Sequence, residues 1–285
     1  MRLLIEFASL IKYKITLAVV FTALIAFALG GAAWSPDFFS LLASVFLLSS
    51  GAMALNQLQE MHFDALMQRT DDRPLPKGYL KPLPALFIAI SAIGAGSLIA
   101  FLFLPLPTLL LGLFNILWYN AVYTPLKRVT PLAVMPGSLV GAMPALMGWS
   151  AAGGMLYDER IISLSVFLFL WQIPHFWLIL QKYNNDYENA GFPGIERLFS
   201  APHIKYVVFS WMLATCFASL LFISSGLISF LAFIWILLAA NILLIYLFFN
   251  YLKTNKPPQH RWAMASINMY MIVVLLISLA DKLLR

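Results

Sequence analysis

Nine long apolar runs dominate the chain: Ile11–Ala28, Leu41–Leu58, Pro84–Leu104, Thr108–Val122, Leu132–Ala152, Ile161–Leu180, Val207–Ile223, Leu227–Tyr251 and Trp262–Leu279. An α-helix needs about 17–25 such residues to cross the hydrocarbon core of a bilayer. Lipid offers the backbone no hydrogen-bond partners, so a spanning segment must satisfy its own, as a helix does. A membrane barrel would alternate apolar and polar positions over segments of about ten residues, and that pattern is absent. The chain therefore reads as all-α: a polytopic membrane protein of about nine transmembrane helices bundled around a central cavity, one domain over residues 1–285.

Composition agrees. Of 285 residues, 62% are hydrophobic and 11% charged, with mean hydropathy +0.87. A soluble domain carries about 45–50% apolar and about 25% charged residues. The first run is long and lacks a small-residue cleavage site, so it reads as a retained span. Cys216, the only cysteine, falls inside the seventh run, which excludes a disulfide framework.

Charge orients the helices. With the N-terminus in the cytoplasm, the cytoplasmic segments hold Arg2, Lys12, Lys14, Arg69, Arg73, Lys77, Lys81, Lys127, Arg128, Lys182, Arg197, Lys205, Lys253, Lys256 and Arg261, 15 of the 18 basic residues. Arg160, Lys282 and Arg285 remain outside with the C-terminus. Nine spans and the positive-inside rule thus agree. The net charge of +6 is explained by membrane topology, anionic headgroups and a polyanionic substrate, with no call for nucleic acid.

The scarce polar residues collect at two places. Asn56, Glu60 and Asp64 stand four apart at the end of the second run. At that spacing their side chains share roughly 80° of one helix face. An oxygen-only trio suits Mg²⁺, which takes one or two carboxylates together with substrate phosphates; solvated acids at a helix end would show the same spacing. Arg69 and Arg73 follow, four apart, and a guanidinium fork matches phosphate oxygens. Topology alone would also place basic residues here, and that reading is preferred for Lys77 and Lys81. After the sixth run, Asp186 resembles a further metal ligand, Lys182 lies one turn earlier within reach of a phosphate, and Glu188 reads as solvent-facing. Lys127 and Arg128, after the fourth run, are either phosphate contacts or topological charge. His62, His175, His203 and His260 show no metal-ligand spacing; His175 stands out for its aromatic, proline-containing surroundings near a membrane boundary.

These residues carry a resemblance. Asn56-x3-Glu60-x3-Asp64-x2-Met67-x-Arg69-Thr70-x2-Arg73-Pro74 resembles the first Asp-rich motif of the UbiA superfamily of intramembrane prenyltransferases. Gly141-Ala-Met-Pro144, Trp171-Gln-x-Pro-His175-Phe-Trp177 and Asp186-Tyr187-x2-Ala190-Gly191-x-Pro193 are similar to its haem O synthase branch, and the likeness runs from about Lys12 to Pro193. The resemblance implies a bacterial inner-membrane prenyltransferase with its active site facing the cytoplasm. It would be Mg²⁺-dependent and move a farnesyl group from farnesyl diphosphate to a vinyl group of protohaem IX. Asn56, Glu60, Asp64 and Asp186 would hold the metal. Arg69, Arg73, Lys127, Arg128 and Lys182 would hold the diphosphate, and His175 would help to place the haem. Haem A synthase or cytochrome oxidase assembly proteins are the partners it suggests. Two alternatives stand beside it: the same chemistry on an aromatic or quinone-precursor acceptor, and a cation transporter, which arginines beside the acids disfavour.

Overall fold

The computed structural model describes residues 2–31, 35–253 and 258–285; Lys256, among the basic residues assigned above to the cytoplasmic side, lies outside the described residues. Every regular element described is helical: α1 (Arg2–Leu10), α2 (Tyr13–Leu29), α3 (Pro36–Asp64), α4 (Pro82–Phe103), α5 (Leu106–Leu117), α6 (Thr124–Leu126), α7 (Val134–Ala151), α8 (Glu159–Lys182), α9 (Asn184–Asn189), α10 (Ala201–Ser224), α11 (Leu231–Lys253) and α12 (Pro258–Leu283), with short 3₁₀ and π turns between some of them. Among the described residues, eight helices are long and apolar enough to cross a membrane, and α1 with α2 makes a ninth, bent by 59°. The chain is an integral membrane protein. Its outer face stays apolar: α4 alone exposes Leu83, Phe87, Ile90, Leu98 and Phe101. The short fourth run is completed by a π turn at Trp118–Tyr123, which carries α5 into α6.

The helices form two compact units, one running through Met155 and taking in Asn185–Pro193, the other made of Leu156–Asn184 and Gly194–Arg285. In the first, Phe27 of α2, Leu41, Val45 and Leu48 of α3, Leu109 of α5 and Met147 of α7 share one buried cluster. Small residues let the backbones close up, as lipid-embedded helices require where no hydrophobic drive separates protein from solvent. A Cβ on Gly51 would come within 2.6 Å of the Ile93 side chain and 2.8 Å of the Ala89 carbonyl on α4. The joint between α1 and α2 is built, not frayed. Gln57 of α3 donates to the carbonyls of Ser9 (2.7 Å) and Leu10 (3.0 Å), and Thr16 donates to Ile11 O at 2.7 Å. At this joint Lys12 adopts φ 48°, the only positive φ of a described residue other than glycine. Such a backbone costs about 1–2 kcal/mol for an L-residue.

In the second unit, Ser219, Asn241 and Tyr270 form a satisfied buried chain: Asn241 donates to Ser219 Oγ at 3.1 Å and Tyr270 to Asn241 Oδ1 at 2.8 Å. Asp158 caps α8, and the Arg160 guanidinium beside it holds its carboxyl below the usual range. Asp281 of α12 accepts the backbone N–H groups of Ser229 and Phe230, each at 2.8 Å, just ahead of α11, and pairs with Arg285. Replacing Asp281 by Ala leaves those N–H groups unpaired at a helix start. The expected loss is about 1–3 kcal/mol, read as a lower melting temperature in detergent with catalytic constants unchanged.

Candidate functional site

The site grows from the end of α3. Its trio lies on one buried face, as the spacing predicts: Asn56 is 0%, Glu60 3% and Asp64 1% exposed. Polar groups inside a membrane helix are costly unless compensated, and each here has a cationic partner. Lys12 Nζ donates to Asn56 Oδ1 at 2.6 Å, Lys127 Nζ stands 2.5 Å from Glu60 Oε1, and Arg73 Nη1 donates to Asp64 Oδ2 at 2.6 Å. Three oxygen donors thus face three cations, one to one.

The partners come from separate elements. Lys12 is delivered by the α1–α2 joint. Lys127 follows the π turn, whose geometry also places Thr124. That side chain donates to Tyr119 O at 2.8 Å and accepts from Asn56 Nδ2 at 3.0 Å, so both ends of the Asn56 amide are fixed. π turns often mark functional positions, because the inserted residue re-aims a helix face. Arg73 is delivered by the loop after α3, where Thr70 Oγ1 donates to Asp64 O at 3.0 Å.

Asp186 joins the same unit from far along the chain. Its Oδ2 accepts the backbone N–H of Arg69 at 3.2 Å. Phe192 and Tyr187 pack with Phe63 and Met67 to dock this segment beside the loop. The Gly191 turn explains the Ala190-Gly191 pair. With φ 77°, it lets Gly191 N–H reach Glu188 O and Phe192 N–H reach Tyr187 O, both at 2.9 Å, closing α9 in a Schellman pattern.

The remaining predicted residues divide. The Arg69 guanidinium stands 5.9 Å from the Tyr187 ring centre. Arg128 turns away from the trio: it donates to Gln59 O at 2.7 Å and lies 4.7 Å over Phe63. Lys77, Lys81 and Glu188 are exposed, as expected for ordinary surface charge. Lys182 and His175 belong to the second unit, where Lys182 is exposed beside Tyr183. His175 stacks on Trp171, ring centres 5.1 Å apart, and its Nδ1 has no hydrogen-bond partner. Among the described residues, no three carboxylate, histidine or cysteine groups lie together as a ready metal cage. The acids are spread along a helix face, each paired with its own cation. The donor chemistry, two carboxylates and an amide oxygen beside basic side chains, still fits Mg²⁺, which needs few protein ligands when a substrate supplies the others. Neither Lys12 nor Thr124 is among the site residues expected from the sequence: Lys12 reads there as one of the cytoplasmic basic residues, and Thr124 lies in the stretch that carries Lys127 and Arg128.

The model of the UbiA prenyltransferase family matches residues 17–272, a stretch that crosses both units. The chain belongs to this family. The resemblance read from the Asn56–Pro74 motif is therefore borne out. Among curated relatives, the chain is 43% identical over 192 residues to the protoheme IX farnesyltransferase of Geobacter sulfurreducens, covering 66% of this chain and 69% of that one. The mitochondrial protoheme IX farnesyltransferase of Homo sapiens is 38% identical over 205 residues, 69% of this chain but 46% of its own length. The match to the protoheme IX farnesyltransferase of Oleidesulfovibrio alaskensis is 33% over 186 residues, 65% of this chain and 66% of that relative. The chain thus spans about half to two thirds of the length of these relatives. Two solved structures share the fold. A digeranylgeranylglyceryl phosphate synthase superposes with TM-score 0.82 at 16% identity over 100% of both chains. A UbiA homologue from Archaeoglobus fulgidus, bound to DMAPP and Mg²⁺, superposes with TM-score 0.69 at 13% identity, over 98% of this chain and 100% of that one. In this UbiA family member, the α3 trio brings three oxygen donors together with three basic side chains within the first unit.

Proposed function

We propose that this chain is a Mg²⁺-dependent protohaem IX farnesyltransferase, moving a farnesyl group from farnesyl diphosphate to a vinyl group of haem B to give haem O. The observation that supports the reaction class is the one-to-one pairing of Asn56, Glu60 and Asp64 with Lys12, Lys127 and Arg73. The acceptor follows from the relatives, several of which are named protoheme IX farnesyltransferases.

Asn56, Glu60, Asp64 and Asp186 are the residues that would hold Mg²⁺. When bound, the metal supplies positive charge that stabilises a departing diphosphate. Arg69, Arg73 and Lys127, joined by Lys12, would take the diphosphate oxygens, and Arg128 would add charge at the edge. Their alignment favours breaking the C–O bond of the allylic ester, the electron pair leaving with the diphosphate. The resulting allylic cation is attacked by the vinyl carbon. Water then adds to the new cation and loses a proton, leaving a hydroxyethyl-farnesyl group. Apolar helices keep bulk water from quenching the allylic cation first. His175, with one ring nitrogen unpartnered, is the group proposed to place the haem. We place the protein in a bacterial cytoplasmic membrane, N-terminus and catalytic side facing the cytoplasm, C-terminus outside. Haem A synthase or oxidase assembly proteins would receive the product.

The test is an assay of purified protein in detergent with Mg²⁺, farnesyl diphosphate and protohaem, read by mass spectrometry. A haem bearing the hydroxyethyl-farnesyl group is the expected product. Diphosphate release with unmodified haem would refute the acceptor and point to aromatic rings. No Mg²⁺-dependent reaction with any acceptor, from folded protein, would refute the reaction class.

A further inference from the structure

Asn56 Oδ1 has two claimants. In the structure it accepts from the Lys12 ammonium at 2.6 Å. In the reaction proposed above, on which this inference rests, the same oxygen faces Mg²⁺. A coordination bond of about 2.1 Å and an ammonium hydrogen bond on one oxygen would hold two cations side by side. Their repulsion in a site shielded from water is several-fold stronger than in bulk solvent. The two contacts therefore exclude each other.

The amide cannot turn aside to accommodate both. Its Nδ2 is tied to Thr124 Oγ1 at 3.0 Å, and that hydroxyl is spent on Tyr119 O at 2.8 Å. A flipped amide would aim its N–H groups at the ammonium and lose the Thr124 bond. The oxygen thus stays pointed at Lys12, and what can move is the lysine. Lys12 sits in neither helix but at the 59° joint between α1 and α2, whose carbonyls are satisfied by Gln57 and Thr16 independently of the Lys12 side chain. Its four-carbon stem can swing without unwinding a helix. Glu60 and Asp64 are engaged in the same way by Lys127 and Arg73.

We propose that Lys12 gates metal entry: its ammonium holds the amide oxygen of Asn56 until a diphosphate draws it away, so that Mg²⁺ and the prenyl diphosphate bind together and the metal does not bind well alone. Lys12 is in this sense a positioning residue. It sets when the metal ligand is open, and then contributes its charge to the phosphate oxygens. The exchange keeps the buried oxygens matched with positive charge at every stage. Metal charge replaces ammonium charge on the trio, and the ammonium moves with the anion that brought the metal in.

The test measures metal binding directly, using Mn²⁺ in place of Mg²⁺ and the electron paramagnetic resonance signal of the free ion. Purified full-length protein in detergent is titrated with Mn²⁺ alone, and again with a non-ionising farnesyl thiodiphosphate present. Wild type is expected to take up Mn²⁺ saturably only with the analogue. Lys12→Met is expected to bind Mn²⁺ alone at least about tenfold more tightly than wild type. Lys12→Arg, which keeps the charge, should still require the analogue. A merely structural role for Lys12 would not raise metal affinity on its removal. Tight Mn²⁺ binding by wild type without the analogue overturns the gate and leaves the prenyl-transfer reading standing. So does a Lys12→Met protein that binds Mn²⁺ alone no better than wild type. Should Lys12→Met not fold, the wild-type pair of titrations decides the question unaided. An analogue that neither binds nor promotes Mn²⁺ uptake overturns the gate and the diphosphate reading together.

Discussion

Asp64→Ala is expected to reduce turnover by about a hundred- to a thousandfold while leaving a folded protein. Asp64 is the last of the three oxygen donors, 1% exposed, and it orients Arg73 through a 2.6 Å hydrogen bond. On the proposed reading, removing it takes away a metal ligand and frees an arginine that would hold phosphate oxygens, both of which would act on the charge that develops as the C–O bond breaks. Single electrostatic contacts of this kind are worth about a hundred- to a thousandfold in kcat. Folding survives for local reasons. Arg73 keeps 16% side-chain exposure and can turn to water, and Thr70 still bonds the Asp64 main-chain carbonyl. The measurement is Mg²⁺-dependent diphosphate release beside a thermal melt. Near-normal release from the variant would remove the α3 trio from the mechanism. A melt that has lost its cooperative transition would reassign Asp64 to structure.

Gly148→Ala is expected to have the largest effect on stability. A Cβ there would lie 1.9 Å from Ala23 O and 2.8 Å from Ala23 C, which are backbone atoms of α2 and cannot rotate aside. Helix α7 must then move off α2, opening the cluster that holds Val20, Phe27 and Met147. Overpacking of this kind typically costs about 1–3 kcal/mol, and backbone-on-backbone overlap belongs at or above the top of that range. The effect should reach the site as well, since α2 begins at the joint that presents Lys12. Gly94→Ala on α4 is the control. Nothing lies within 4 Å of its Cβ position, and alanine is the better helix former by about 1 kcal/mol. Melting curves should fall steeply for the first variant and hold or rise for the second. Equal curves would show that α2 and α7 are free to separate.

Much of this protein is legible in one dimension. The nine apolar runs correspond to the spans of the structure, the ninth by counting the bent α1–α2 pair as one. Residues four apart on one helix must share a face, so Asn56, Glu60 and Asp64 could be grouped before any fold was known. The boundaries were less exact. Helix α3 continues six residues past Leu58, to Asp64, because the site's cations compensate acids that hydropathy alone would place outside. Lys127 and Arg128 adjoin in sequence, yet successive residues on a turn point different ways. Only Lys127 meets an acid of the trio.

What the sequence determined by itself is what depends on near neighbours along the chain: the apolar length of each span, the shared face of the trio, and the ordered motifs that mark the UbiA family. What only the tertiary structure decided is which cation meets which oxygen. Lys12 is 44 residues from Asn56, Thr124 is 68 from it, and Asp186 is 117 from Arg69. Such pairings depend on a kinked joint, a π turn and a docked segment, each placed by helix packing. Packing distances do not follow from separation along the chain.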